Sequence, residues 1–118
     1  MRPRHALIIE DEILIALEIE ELLKAQGFTS IAIADSPLEA LDSALKRKPD
    51  LITADYRIVD GTGVEAVKMI MAHLGPIPVV YVTGHATALN DQDTESVVRK
   101  PIRPGDLAGA WHHAMQAA

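Results

Sequence analysis

The chain has 118 residues, enough for one domain with a real core. Its formal net charge of −6 argues against bulk binding to the nucleic-acid backbone, and the absence of cysteine excludes disulfides, thiol catalysis and thiolate zinc sites. No apolar stretch approaches the roughly 20 residues of a membrane span. The apolar run behind the basic start MRPRH is too short for a signal peptide, so a soluble cytoplasmic protein is expected.

His5 to Ile9 is a short apolar run that ends in Glu10-Asp11-Glu12, and it reads as a buried strand. Ile13 to Gln26 follows as a helix, with Ile15, Ile19 and Leu22 at helical spacing and Leu23 beside them. Gly27 is placed to end it. Thr29 to Ala34 is a second strand. Ser36 then caps a second helix, with Pro37 at its first position and Glu39 at its third. Leu38, Leu41 and Leu45 predict its apolar face, Lys46, Arg47 and Lys48 suit its last turn, and Pro49 stops it. Leu51 to Ala54 is a third strand that delivers Asp55 to a loop closed by Gly61 and Gly63. Val64, Val67, Ile70 and Met71 mark a third helix, ending near Gly75. Val79 to Val82 is a fourth strand, ending at Thr83-Gly84. From His85 to Thr94 the pattern fails, so any helix there is expected to be short or frayed. Glu95 to Arg99 holds a fifth strand ending at Lys100-Pro101. Pro104 to Gln116 is a last helix with Leu107, Ala110, Trp111 and Ala114 on one stripe.

Strand and helix alternating in this way predict an α/β fold, a five-stranded parallel sheet with helices on both faces. One domain over residues 1–118 is expected. With the strand order 2-1-3-4-5, the flavodoxin-like arrangement, the C-terminal strand ends converge on one crevice. Those ends carry Glu10 and Asp11, Asp55, Thr83 and Lys100. Three carboxylates packed together repel, and a divalent cation relieves that repulsion. Oxygen ligands completed by water suit Mg²⁺ better than zinc. Lys100 adds positive charge. Such a site can neutralise a phosphoryl group and hold it in line with one carboxylate nucleophile, for which Asp55 is the candidate, while Thr83 can donate to a phosphoryl oxygen. Singly, each residue has a plainer explanation: acids at a helix start suit its dipole, a threonine caps, and a lysine is solvated. Their joint placement at strand ends favours the functional reading.

The segments ALIIEDE at 6–12, PDLITADYRIVDGTGVE at 49–65, PVVYVTG at 78–84 and VRKPI at 98–102 resemble the response-regulator receiver domain of bacterial two-component systems. The resemblance covers nearly the whole chain. It implies a phosphorelay module in which Asp55 accepts phosphate from a histidine kinase or histidine phosphotransfer protein and then switches contacts with a downstream protein target. No direct engagement of nucleic acid or membrane is expected, given the charge and the lack of a membrane-length apolar run. It implies Mg²⁺ held by Asp11, Asp55 and the main-chain carbonyl of Arg57, with Glu10 acting through water, and Thr83 and Lys100 on the phosphoryl oxygens. It also implies a cis bond between Lys100 and Pro101. The module catalyses only its own phosphorylation and dephosphorylation and is not otherwise an enzyme. The alternative is an adaptor of the same fold that works without phosphate.

Two positions depart from the common pattern of that family. Val97 stands where many members have an aromatic switch residue, and Val59 where many have proline. The segment YVTGH resembles an alphaproteobacterial subgroup with a Phe-Ala-Thr-Gly-type motif on the fourth strand, and residues 85–94 are expected to become ordered on phosphorylation. Gly61-Thr62-Gly63-Val64-Glu65-Ala66 also matches a dinucleotide fingerprint, but it follows the third strand and reads as a turn. His85 lies near the expected phosphoryl site; the remaining histidines are dispersed or diverge, and give no metal pattern. Leu14 and Leu17 are surplus apolar residues on the first helix, expected to be partly exposed for a docking partner or against the last helix.

Overall fold

The computed structural model describes residues 4–84, 97–103 and 105–117. In chain order its elements are β1 (His5–Ile9), α1 (Ile13–Ala25), β2 (Ser30–Ala34), α2 (Pro37–Lys46), β3 (Leu51–Ala54), β4 (Arg57–Ile58), β5 (Gly61–Thr62), α3 (Gly63–Leu74), β6 (Val79–Thr83), β7 (Val97–Arg99) and α4 (Asp106–Ala117). The main sheet has the order β2-β1-β3-β6-β7, and every pair in it is parallel. This is the expected 2-1-3-4-5 order, with the numbering shifted by a small hairpin. No helix among the described residues is long and apolar enough to cross a membrane. The expectations for His85 and for residues 85–94 lie outside the described residues.

The continuous apolar run of β1 is explained by burial on both sides of the sheet. Successive side chains alternate between two cores. Ala6 and Ile8 join Leu51, Val80 and Val98 under α1 and α4. Leu7 and Ile9 join Ile52 and Ala54 under α2 and α3. Phe28 and Trp111 close the first core edge to face, with ring centroids 5.1 Å apart.

Cap chemistry sets the helix starts. Ser36 Oγ accepts the Glu39 N–H at 3.3 Å, as its spacing predicts. Thr62 caps α3 in the same way, accepting the Glu65 N–H at 3.1 Å and donating to Glu65 Oε1 at 3.1 Å. The Gly-Thr-Gly segment is therefore a hairpin strand and helix cap. The antiparallel pair β4-β5 within the expected loop is too short to be seen in a hydrophobic pattern.

Three expectations need correction. The buried face of α2 is Pro37, Ala40 and Ala44, while Leu38 is 74% exposed and Leu45 also lies outside; of the predicted stripe only Leu41 packs on the core. Small residues face inward because α2 lies close against β1, β2 and α3. The helix also ends at Lys46, before Pro49, because Arg47 turns extended. In α1 the contact centres on Ala16, Ile19 and Leu23, with Ile15 and Leu22 at its margin. Leu14 and Leu17 are exposed, as expected, and so is Ile13.

His5 is buried at the start of β1, with Nδ1 2.9 Å from Ser30 Oγ. Arg47 donates to the same hydroxyl at 2.8 Å, so the hydroxyl proton is free to point at a neutral His5 ring. Burial, then the Arg47 charge, pushes the His5 pKa below its ordinary value. The unfolded chain takes up a proton near about pH 6.5, where the folded chain resists it. The stability tied to neutral His5 is thus intact above that pH and is lost as pH falls through the lowered folded-state value. Urea unfolding across this range should show a steeper acid loss for wild type than for His5→Gln; equal profiles contradict the assignment.

Candidate functional site

Ile9 pairs with both Ala34 and Ala54, so β1, β2 and β3 end level. The ladder runs one residue further: Glu10 N–H donates to Ala34 O at 2.9 Å and Asp55 N–H to Ile9 O at 2.9 Å. Glu10 and Asp55 therefore leave the C-terminal edge of the sheet side by side, and both are buried. Lys100 directly follows β7 and precedes a cis peptide bond to Pro101, as expected.

The ammonium of Lys100 joins the two acids. Its Nζ lies 3.0 Å from Asp55 Oδ2, to which it donates, and 2.9 Å from Glu10 Oε1. Asp55 Oδ1 accepts the Tyr56 N–H at 2.7 Å, so both of its oxygens are held. Glu10 Oε2 accepts the Glu12 N–H at 3.2 Å. Glu10 Oε1 is fully buried and, despite the nearby ammonium, has no aligned hydrogen bond. The charges respond accordingly. Burial, helped by the Asp55 charge, pushes the Glu10 pKa up to about 7 against the pull of Lys100 and the Glu12 N–H. Burial by itself lowers Lys100, but the close carboxylates of Glu10 and Asp55 outweigh it, and its pKa is raised.

Asp11 and Glu12 complete the rim. One carboxylate oxygen from each of Glu10, Asp11, Glu12 and Asp55 falls within a set spanning 4.8 Å, with Glu10 and Asp55 buried and Asp11 and Glu12 exposed. An all-oxygen set, open to water on one side and holding a buried oxygen without an aligned donor, fits a hard divalent cation.

Arg57 lies two residues past Asp55, at the start of β4, with its side chain exposed. Thr83 is the last residue of β6, the strand paired with β3. Two further residues shape the site. Glu12 has only a dipole role by sequence, yet its carboxylate lies 3.8 Å from Lys100 Nζ. The signal for it is three consecutive acids at a strand end. Gly63 opens α3 and donates its N–H to Tyr56 O at 2.8 Å. A Cβ there would overlap the Asp55 carbonyl oxygen and stand 3.1 Å from Ala54 Cβ. Glycine at this position lets α3 back directly onto the strand end that carries Asp55.

Comparison with known proteins agrees with this geometry. Residues 6–112 match the family model of the response regulator receiver domain. The phyllosphere-induced regulator PhyR of Methylorubrum extorquens is 32% identical over 114 residues, which cover 92% of this chain and 42% of that protein. The polar-differentiation response regulator DivK of Brucella anthropi is 32% identical, with 85% of this chain and 86% of that protein covered. Among solved structures, the receiver domain of the Erythrobacter litoralis PhyR response regulator superposes with a TM-score of 0.86 at 29% identity, over 97% of this chain and 91% of that one. The chain spans less than half the length of the Methylorubrum regulator. A parallel five-stranded sheet with a buried carboxylate pair and a lysine at its C-terminal edge, matched by the family model over most of the chain, makes this chain a member of the response regulator receiver domain family.

Proposed function

We propose that Asp55 is the phosphoacceptor of this receiver domain, with Mg²⁺ as its cofactor. The observation that carries the reading is the contact of Lys100 with both Glu10 and Asp55, a largely buried cation set against the acceptor carboxylate at the sheet edge. Asp55 attacks the phosphorus of a phosphohistidine; the new O–P bond forms as the P–N bond breaks, and the imidazole leaves with the electron pair. Asp11, Asp55 and the carbonyl of Arg57 would hold Mg²⁺, with Glu10 acting through water. Bound there, the ion supplies neutralising charge for the phosphoryl oxygens. Lys100 then exchanges its contact with Asp55 for a phosphoryl oxygen, and Thr83 donates to another. Water later hydrolyses the acyl phosphate.

The phosphoryl donor is a histidine kinase or histidine phosphotransfer protein in the cytoplasm, and the output is a changed contact with a downstream protein. Ile13, Leu14 and Leu17 form an exposed apolar patch on α1, next to the site, and Leu14 is 79% exposed. This patch is the proposed docking face for the donor's helices. The test is transfer of labelled phosphate from a phosphohistidine protein. Label should pass to wild type, and Leu14→Ser with Leu17→Ser should slow that transfer about tenfold or more, as loss of an apolar anchor pair does, while leaving the reaction with acetyl phosphate unchanged. Equal slowing with both donors removes the docking role. No transfer to wild type from any such donor favours the phosphate-independent adaptor.

A further inference from the structure

Glu12 is the N-cap residue of α1, with extended backbone angles, but its side chain makes no cap hydrogen bond. Its carboxylate instead stands 3.8 Å from Lys100 Nζ, at the mouth of the site, with the side chain 66% exposed. Lys100 is thus shared by three carboxylates, at 2.9 Å from Glu10, 3.0 Å from Asp55 and 3.8 Å from Glu12. Glu10 and Asp55 are buried beneath it, so Glu12 and Asp11 are the charges an arriving phosphoryl donor meets first. Such an ion pair adds little to stability, because water screens it. Its position nevertheless matters for ligands, since charges ringing a cleft set which ions are attracted into it.

We propose that Glu12 is a rim residue that selects among phosphoryl donors by charge: it repels anionic small donors and holds Lys100 back from them, while a protein donor brings its own compensating surface. The inference rests on Asp55 being the phosphoacceptor. Glu12 touches Lys100 and no reacting atom, so it acts as a positioning and selectivity residue.

The test uses the full chain at saturating Mg²⁺, so that altered metal affinity does not enter. Phosphoryl transfer to Asp55 is timed near neutral pH from acetyl phosphate, a dianion, and from phosphoramidate, which carries one less negative charge. In each reaction the Asp55 O–P bond forms; the P–O bond of acetyl phosphate breaks to release acetate, or the P–N bond of phosphoramidate breaks and the nitrogen leaves as ammonia after taking a proton. Glu12→Gln keeps the shape and removes the charge. It should raise the acetyl phosphate rate about threefold to tenfold and the phosphoramidate rate by clearly less, so that the ratio of the two rates rises. Glu12→Asp, which keeps the charge, should keep the ratio near that of wild type. An unchanged ratio in Glu12→Gln overturns the inference even if both rates move. The same ratio change in Glu12→Asp also overturns it, because shape and not charge would then be the cause. If neither wild type nor Glu12→Gln forms an adduct with either small donor while a phosphohistidine protein still phosphorylates Asp55, this inference alone is overturned; if phosphohistidine proteins also fail, the phosphoacceptor reading falls with it.

Discussion

Lys100→Met should lower the stability of the metal-free chain by about 3 kcal/mol above neutral pH, because it leaves two buried carboxylates facing each other without a cation. Lys100 Nζ is the group within 3.0 Å of both Glu10 and Asp55, and its own side chain is mostly buried. Methionine keeps the stem and removes the charge, so packing changes little. The loss should depend on pH. Glu10 already titrates at about 7 with Lys100 present, and removing the ammonium pushes it higher still. Below that range Glu10 is protonated and the repulsion fades, so the penalty is largest at alkaline pH and shrinks as pH falls. Millimolar Mg²⁺ should recover part of the loss, since a cation bound by the same acids replaces the missing charge. Urea unfolding of wild type and Lys100→Met, at two pH values and with or without Mg²⁺, reads all three effects. A pH-independent difference would mean that the lysine contributes packing alone.

Gly63→Ala should cost about 3 kcal/mol and slow phosphorylation by an order of magnitude or more, although residue 63 bears no chemistry. The added methyl would overlap the carbonyl oxygen of Asp55, and neither backbone can yield cheaply. Asp55 N–H is tied to Ile9 O at 2.9 Å and Gly63 N–H to Tyr56 O at 2.8 Å, so relief of the overlap shifts the acceptor relative to Glu10 and Lys100. Gly109→Ala is the control. Nothing lies within 4 Å of a Cβ at Gly109, which sits inside α4. Alanine there should raise stability by about 0.5–1 kcal/mol through helix propensity. Thermal melts and adduct formation measured on both variants separate the two. Equal behaviour would show that Gly63 is only a turn residue.

The sheet was legible because strands buried on both faces are short, mostly apolar and bounded: His5 to Ile9 ends in three acids, and Leu51 to Ala54 lies between Pro49 and the glycines. The same periodicity misled on α2. Three leucines at helical spacing outweighed Ala40 and Ala44 in the pattern, yet tight packing against the sheet and α3 admits only small side chains, and Leu38 and Leu45 face outward. Hydrophobicity ranks residues by transfer energy, whereas a close helix contact selects by size. The site divides in a similar way. Glu10, Asp55 and Lys100 follow from strand ends, which local pattern supplies, once one reversal of strand order is taken. Glu12 and Gly63 do not, because one acts through a side chain that bypasses its cap and the other through the absence of a side chain. The β4-β5 hairpin was equally hidden, with two residues per strand and Asp60 at a φ of 61° in its turn.

The most direct test of the central claim is the mass of the chain after incubation with acetyl phosphate and Mg²⁺. Asp55 as nucleophile predicts a gain of one phosphoryl group that hydroxylamine removes and that is absent in Asp55→Asn and when EDTA replaces the metal. An adduct that persists in Asp55→Asn, or a wild-type chain that stays unmodified with this donor and with phosphohistidine proteins alike, would contradict it.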